Sequence, residues 1–212
     1  MMLYGSSFSP YVRKTLAYAA EKGIALEVKP VGLGDNDPRF VEASPFRKMP
    51  AFRDGDFAIC DSTAIITYLE AKFPAPPLIP AKPESRARTI WYEEFADTIL
   101  IACGGKMFFN RFVAPRFLGR PGDEAAADKA EKEELPPILD YIERILPDSG
   151  FLVDDRLTLA DIAVASPFVN LAHLDYHVDP ARHPKLAAYV ETILARPSFA
   201  PIIAAEKRMA AR

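Results

Sequence analysis

The chain has 212 residues, half of them hydrophobic and 26% charged, a composition that excludes disorder and leaves room for one large or two small domains. A formal net charge of −3 gives no electrostatic pull toward nucleic acid or an anionic membrane, and no apolar run is long enough to span a bilayer. Two cysteines, Cys60 and Cys103, form no metal-ligand or CxxC spacing, and the N-terminus lacks a secretory pattern, so a reducing, cytoplasmic location is expected.

Met2-Leu3-Tyr4 reads as a short strand that runs into a Gly/Ser turn. The segment from Pro10 to Lys22 follows with helical spacing at Val12, Leu16, Ala19 and Ala20. Proline suits the first turn of a helix, Ser9 stands where a hydroxyl caps it, and Gly23 stands where a left-handed C-cap ends it. A hydroxyl at a helix N-terminus also sits where backbone N–H groups favour an anion, so Ser9 reads either as a cap or as part of an anion site. Leu26 to Val31 alternates as a second strand, and the crossover helix makes the pairing parallel. A short helix is expected at Arg39 to Ala43. Ala51–Arg53 and Phe57–Cys60 flank Asp54-Gly55 as a hairpin, and Asp61-Ser62 introduces a helix from Thr63 to Phe73.

The proline run from Phe73 to Pro80 cannot continue a helix and marks a linker. Beyond it every pattern is helical. A long segment from Ser85 carries Ile90, Trp91, Phe95, Ile99 and Ala102, with Gly104-Gly105 expected to bend it. Pro136-Pro137 must kink or restart the helix from Asp123 to Leu146. Thr158-Leu159-Ala160-Asp161 has the form of a capping box, with Asp in place of Glu or Gln. A final helix is expected from Pro184 to Ala195. Trp91 is assigned to the core or a domain interface. His173 and His177 lack a third ligand, so no metal is expected.

A βαβ unit, a ββα unit, a proline linker and an all-helical remainder together resemble the glutathione transferase superfamily. The stretches that carry the resemblance are Ser9-Pro10-Tyr11-Val12-Arg13-Lys14, Lys48-Met49-Pro50-Ala51-Phe52, Asp61-Ser62, Thr158-Leu159-Ala160-Asp161-Ile162-Ala163 and Ala195-Arg196-Pro197-Ser198-Phe199. The resemblance implies an α+β chain. A thioredoxin-like, glutathione-binding domain is expected at 1–76, a proline-rich linker at 77–84 and an all-helical domain at 85–212. It implies glutathione as co-substrate, no metal, a homodimer to which Asp97 contributes, and no nucleic-acid or membrane partner.

Glutathione carries two carboxylates and a thiol of pKa about 8.5, mostly protonated at neutral pH. Lowering that pKa by about two units asks for roughly 2.7 kcal/mol of preferential thiolate stabilisation. In the resembled mechanism Ser9 supplies a hydrogen bond to the thiolate. Ser6 is its rival, because members differ in where the serine stands relative to the helix start. A cysteine would occupy the Ser9 position in a thiol oxidoreductase. The resemblance gives Met49 the backbone pairing with the cysteinyl unit, beside a cis Pro50. It gives Ser62 and the helix N-terminus the γ-glutamyl carboxylate, Asp61 the ammonium and Lys48 the glycyl carboxylate. An electrophile pocket between the domains would be lined by Phe8, Tyr11, Tyr92, Phe95, Ile99 and Phe108. The expected reaction is conjugation of the thiolate to a small hydrophobic electrophile. A peroxidase or isomerase on the same fold, or a non-catalytic binding or regulatory module, are the alternatives.

Overall fold

Three short strands meet in one row of residues. In the computed structural model, which describes residues 1–211, strands β1 (Met2–Tyr4), β2 (Glu27–Lys29), β3 (Ala51–Asp54) and β4 (Phe57–Cys60) form a sheet of order β2-β1-β3-β4. β1 runs parallel to β2 and antiparallel to β3, and β3 runs antiparallel to β4. The registers pair Tyr4 with Ala51 and Ala51 with Cys60. The C-terminal ends of β1 and β4 and the N-terminal start of β3 therefore lie side by side at one end of the sheet. The Asp54–Phe57 hairpin turns through Gly55 at φ 60°, the left-handed conformation a two-residue loop requires.

Helices α1 (Pro10–Glu21) and α3 (Ser62–Lys72) pack on each other, while α2 (Pro38–Ala43) packs on β3 and β4. Alternation along the strands sorts the core. Tyr4 and Ala51 join Val31, Phe40 and Ala43 in the cluster that includes α2, and Met49 and Cys60 pack against its margin. α1 ends in a Schellman motif: Ile24 N–H donates to Ala19 O at 2.8 Å, Gly23 N–H donates to Ala20 O at 3.0 Å, and Gly23 has φ 68°. The buried side of α1 is wider than the expected stripe. It takes in Arg13, Lys14 and Thr15, while Leu16 is half-buried and Ala20 exposed.

The contacts divide the chain into Met1–Leu78 together with the segment from Pro197, and Ile79–Arg196. The division near the linker follows the proline run. The return of the C-terminus to the first unit was not anticipated, nor was the helix it carries, α11 (Ala200–Ala210). Within the first unit Glu70 of α3 gathers the linker. It accepts from Tyr18 Oη, from Lys22 Nζ at 2.6 Å and from Leu78 N–H at 3.2 Å, and Lys22 Nζ also donates to Pro76 O at 2.6 Å.

The second unit is helical: α4 (Pro83–Phe95), α5 (Ile101–Phe108), α6 (Ala114–Phe117), α7 (Glu124–Lys129), α8 (Leu135–Ile145), α9 (Leu159–Ala172) and α10 (Pro184–Leu194). Gly104-Gly105 does not bend the chain. Both glycines lie inside α5, and the irregularity falls on either side, as π-helical turns at Ala96–Leu100 and Phe109–Val113. A third, at Ala130–Glu134, leads into α8, where Pro136-Pro137 restart the helix at its first turn. α9 is buried from Leu159 to Leu171, mostly by apolar residues on every side, as the central helix of a helical unit must be. Trp91 is not in the core: it is half exposed, and its indole N–H donates to Tyr141 Oη at 3.3 Å.

Candidate active site

The row Tyr4–Ala51–Cys60 places three predicted segments together. Gly5 to Ser9 leaves β1, Met49-Pro50 enters β3, and Asp61-Ser62 leaves β4, all at the same end of the sheet. Asp61 N–H donates to Pro50 O at 3.3 Å and ties two of the segments directly. Both α1 and α3 begin here, so the positive ends of two helices open at this end of the sheet. Such a place suits a ligand with more than one anionic group.

Ser9 takes the N-cap position of α1, with extended φ −75° and ψ 122°, and its N–H donates to Ser6 O at 2.9 Å. Its hydroxyl makes no capping bond, so of the two readings of Ser9 the cap does not hold. Pro10 at the first helical position has no N–H to leave unsatisfied, and the N–H groups a cap would reach belong to Tyr11 and Val12. Ser6 and Ser9 are both half-buried at the two ends of this turn. The turn closes tightly because Gly5 lies under α1. A Cβ built at Gly5 would stand 2.5 Å from Val12 Cγ2.

The Met49-Pro50 bond is cis, as the resemblance implied, and so is Ala75-Pro76. Lys48 is held through its backbone. Its N–H donates to Ser44 Oγ at 2.9 Å and its carbonyl accepts from the same hydroxyl at 2.8 Å, while the side chain is exposed. Among the described residues the N–H and C=O of the next residue, Met49, enter no backbone hydrogen bond, although its side chain packs on the core.

Asp61 caps α3. Its Oδ1 accepts from Thr63 N–H at 2.9 Å and Ala64 N–H at 3.0 Å. Its backbone has φ 81° and ψ 129°, a conformation that side-chain-bearing residues rarely adopt and that costs roughly 1–3 kcal/mol. That conformation turns the chain so that Ser62, 2% exposed, enters the first turn of α3. Nothing in the Asp61-Ser62 pair signals a positive φ.

The expected pocket residues fall in different settings. Phe8 and Tyr11 flank Ser9 in sequence and are half-buried. Tyr92 is half-buried, and Ile99 is exposed in the first π-helical turn, beside half-buried Asp97. Phe95 is buried, with its ring 5.1 Å from that of Tyr141. Phe108 is buried and stacks at 4.7 Å on Phe112, with His173 beside both rings. The last two thus serve the core of the helical unit. Among the described residues no cluster of three or more His, Cys, Asp or Glu is placed to hold a metal ion, and no helix is long and apolar enough to cross a membrane.

A thioredoxin-like sheet with a cis-proline loop, two helix N-termini at one sheet end and an all-helical unit behind a proline linker narrows the identity to one architecture. Residues 3–77 match the model of the glutathione S-transferase N-terminal domain, and residues 98–197 match that of the C-terminal domain. The chain belongs to the glutathione S-transferase family. It is 31% identical to glutathione S-transferase 3 of Zea mays over 97% of this chain and 94% of that one. A glutathione S-transferase of Methylobacterium radiotolerans, solved in complex with glutathione sulfonate, is 30% identical, with a TM-score of 0.77 over 95% of this chain and 93% of that one. A curated relative of another name, the stringent starvation protein A homolog of Coxiella burnetii, is 25% identical over 94% of this chain and 89% of that one.

In the sequence Arg13 stands only as a member of the Ser9–Lys14 stretch, with no site role assigned to it. In the transferase fold of this chain it is fully buried one turn into α1 and paired with Glu206. Its spacing of four from Ala17, on one helix face, was the available signal.

Proposed function

We propose that the chain is a glutathione transferase in which Ser9 donates a hydrogen bond to the glutathione thiolate, and that the thiolate attacks the electrophilic carbon of a small hydrophobic compound. The observation that carries this reading is the Ser9 hydroxyl, held at the N-terminus of α1 and not used to cap it. A hydroxyl donor together with helix-terminal N–H groups lowers a thiol pKa by favouring the charged form. In the step itself the sulfur lone pair forms the C–S bond while the leaving group departs with the electron pair of the bond it breaks. Ser9 stabilises the anion and is never covalently modified.

The rest of glutathione follows the chemistry of the same sheet end. Met49 offers its N–H and C=O to the cysteinyl unit in the manner of an added strand. Ser62 and the α3 N-terminus take the γ-glutamyl carboxylate, Asp61 lies beside the ammonium, and exposed Lys48 is within the loop that would meet the glycyl carboxylate. Ser6, across the same turn, is the second choice for the activating hydroxyl. Phe8 and Tyr11, on either side of Ser9, are proposed to contact the electrophile. The protein is read as a cytoplasmic homodimer, with Asp97 contributing to the partner's site.

One fold serves several functions, and a relative that does not carry the transferase name, the stringent starvation protein A homolog, leaves a second reading, a chain that keeps the fold as a binding module. Calorimetric titration with reduced glutathione and with S-methylglutathione, followed by turnover with a panel of aromatic electrophiles, separates the two. Binding of reduced glutathione with turnover is the expected result. Binding without turnover on any electrophile supports the binding module, and no binding at millimolar glutathione removes both glutathione-based readings.

A further inference from the structure

We propose that the C-terminal helix is a positioning element for the thiol-activating serine, with Glu206 of α11 setting the first turn of α1, and so the seat of Ser9, through the buried Arg13 guanidinium. The inference rests on the reading of Ser9 given above.

Arg13 closes the first turn of α1: its backbone N–H donates to Ser9 O at 3.0 Å. Its side chain is among the largest that are fully buried, and Glu206 is buried equally. The two meet as a fork on a fork, Nε to Oε1 at 2.9 Å and Nη2 to Oε2 at 2.8 Å. Two parallel bonds to a planar group fix orientation as well as distance, which one bond does not. The last turn of α1 is held by the same C-terminal segment, because Ser198 Oγ donates to Glu21 Oε1 at 2.6 Å. The two grips lie eight residues apart, about 12 Å along the helix at its 1.5 Å rise. Together they fix where α1 stands along its axis and how it is rotated about it.

Stability alone does not account for the pair. A buried ion pair is often matched or bettered by apolar side chains of similar volume. α1 already buries Val12, Ala17, Tyr18 and Ala19. What an apolar replacement cannot supply is a directional lock next to Ser9. Hydrogen bonding to a thiolate is steep in geometry, and a displacement of about 1 Å can reduce rate by about a hundredfold.

The test compares wild type, Glu206→Gln and the double variant Arg13→Met/Glu206→Leu, which removes both members of the buried pair together. Each is measured for thermal midpoint, for the pKa of bound glutathione from its ultraviolet thiolate band, and for kcat and KM. In the double variant the midpoint is expected to stay within a few degrees of wild type. The bound thiol pKa is expected to rise and kcat to fall about tenfold, with KM for glutathione changed less than about threefold. A folded double variant with the wild-type thiol pKa and kcat overturns the positioning role. A double variant that does not fold also overturns it, by making the pair a determinant of folding. If wild type shows no thiolate band, or Ser9→Ala leaves the band unchanged, the reading of Ser9 itself fails and the inference falls with it.

Discussion

Replacing Asp161 with alanine should unfold the helical unit more readily than its single-residue size suggests. Asp161 is the third residue of α9 and is fully buried. One oxygen accepts from Leu152 N–H at 2.8 Å, nine residues upstream, and the other accepts from Thr158 N–H at 2.9 Å and Thr158 Oγ1 at 3.2 Å. Alanine leaves these three buried donors without an acceptor. Each stranded donor costs about 1–3 kcal/mol, and with partial relaxation the total is about 4 kcal/mol. That is a large share of the 5–15 kcal/mol that holds a typical domain folded. For a chain of this length it lowers the thermal midpoint by roughly 8–16 °C. Circular dichroism melts of wild type and Asp161→Ala at pH 7.5 give the comparison. A midpoint within about 2 °C of wild type would refute the account of the capping box.

The pH dependence carries a sign of its own. Burial pushes the Asp161 carboxyl up to about 6, against about 3.9 in an unfolded chain. Between those values the native state holds a proton that the unfolded state releases, so the contribution of this group to stability falls as pH rises and levels off above 6. The margin of wild type over Asp161→Ala should therefore shrink from pH 4 to pH 7, by at most about 3 kcal/mol. A margin that widens instead would contradict the desolvation argument.

Three substitutions test backbone packing. Gly5→Ala drives a Cβ to 2.5 Å from Val12 Cγ2 and should cost about 1–3 kcal/mol by urea titration, with only part of the loss recovered in Gly5→Ala/Val12→Ala, because the backbone at φ 157° still disfavours a side chain. Gly122→Ala would place its Cβ 2.0 Å from the Asn110 carbonyl oxygen, so it should destabilise at least as much, and Asn110→Ala should not rescue it. Asp175→Gly should raise the thermal midpoint by a degree or more. Asp175 follows α9 at φ 58°, and the Tyr176 N–H to Leu171 O bond at 3.1 Å marks a Schellman motif whose preferred residue is glycine.

Local chemistry made much of this fold readable. Pro10 and Gly23 bracket α1, Asp54-Gly55 turns the hairpin, and Thr158 with Asp161 opens α9, because each acts through atoms within a few residues of itself. The idle Ser9 hydroxyl was not readable, since the sequence shows a capping residue and not whether it caps. The positive φ of Asp61 and the π-helical turns flanking α5 match none of the local signals read from the sequence. The partner of Arg13 stands 193 residues away on a helix the periodicity did not reveal. The candidate site was therefore legible as segments, through their resemblance to a family. Their convergence came only from the strand registers that set Tyr4, Ala51 and Cys60 in one row.

The central claim, that Ser9 activates the thiol, is tested most directly by the pKa of glutathione bound to wild type, Ser9→Ala and Ser6→Ala, read from the thiolate absorbance against pH. The account predicts a bound thiol well below its free value of about 8.5 in wild type and Ser6→Ala. Ser9→Ala should bring it back by one unit or more, with glutathione affinity changed little. A thiol pKa that is the same in wild type and Ser9→Ala, with glutathione bound in both, would contradict it.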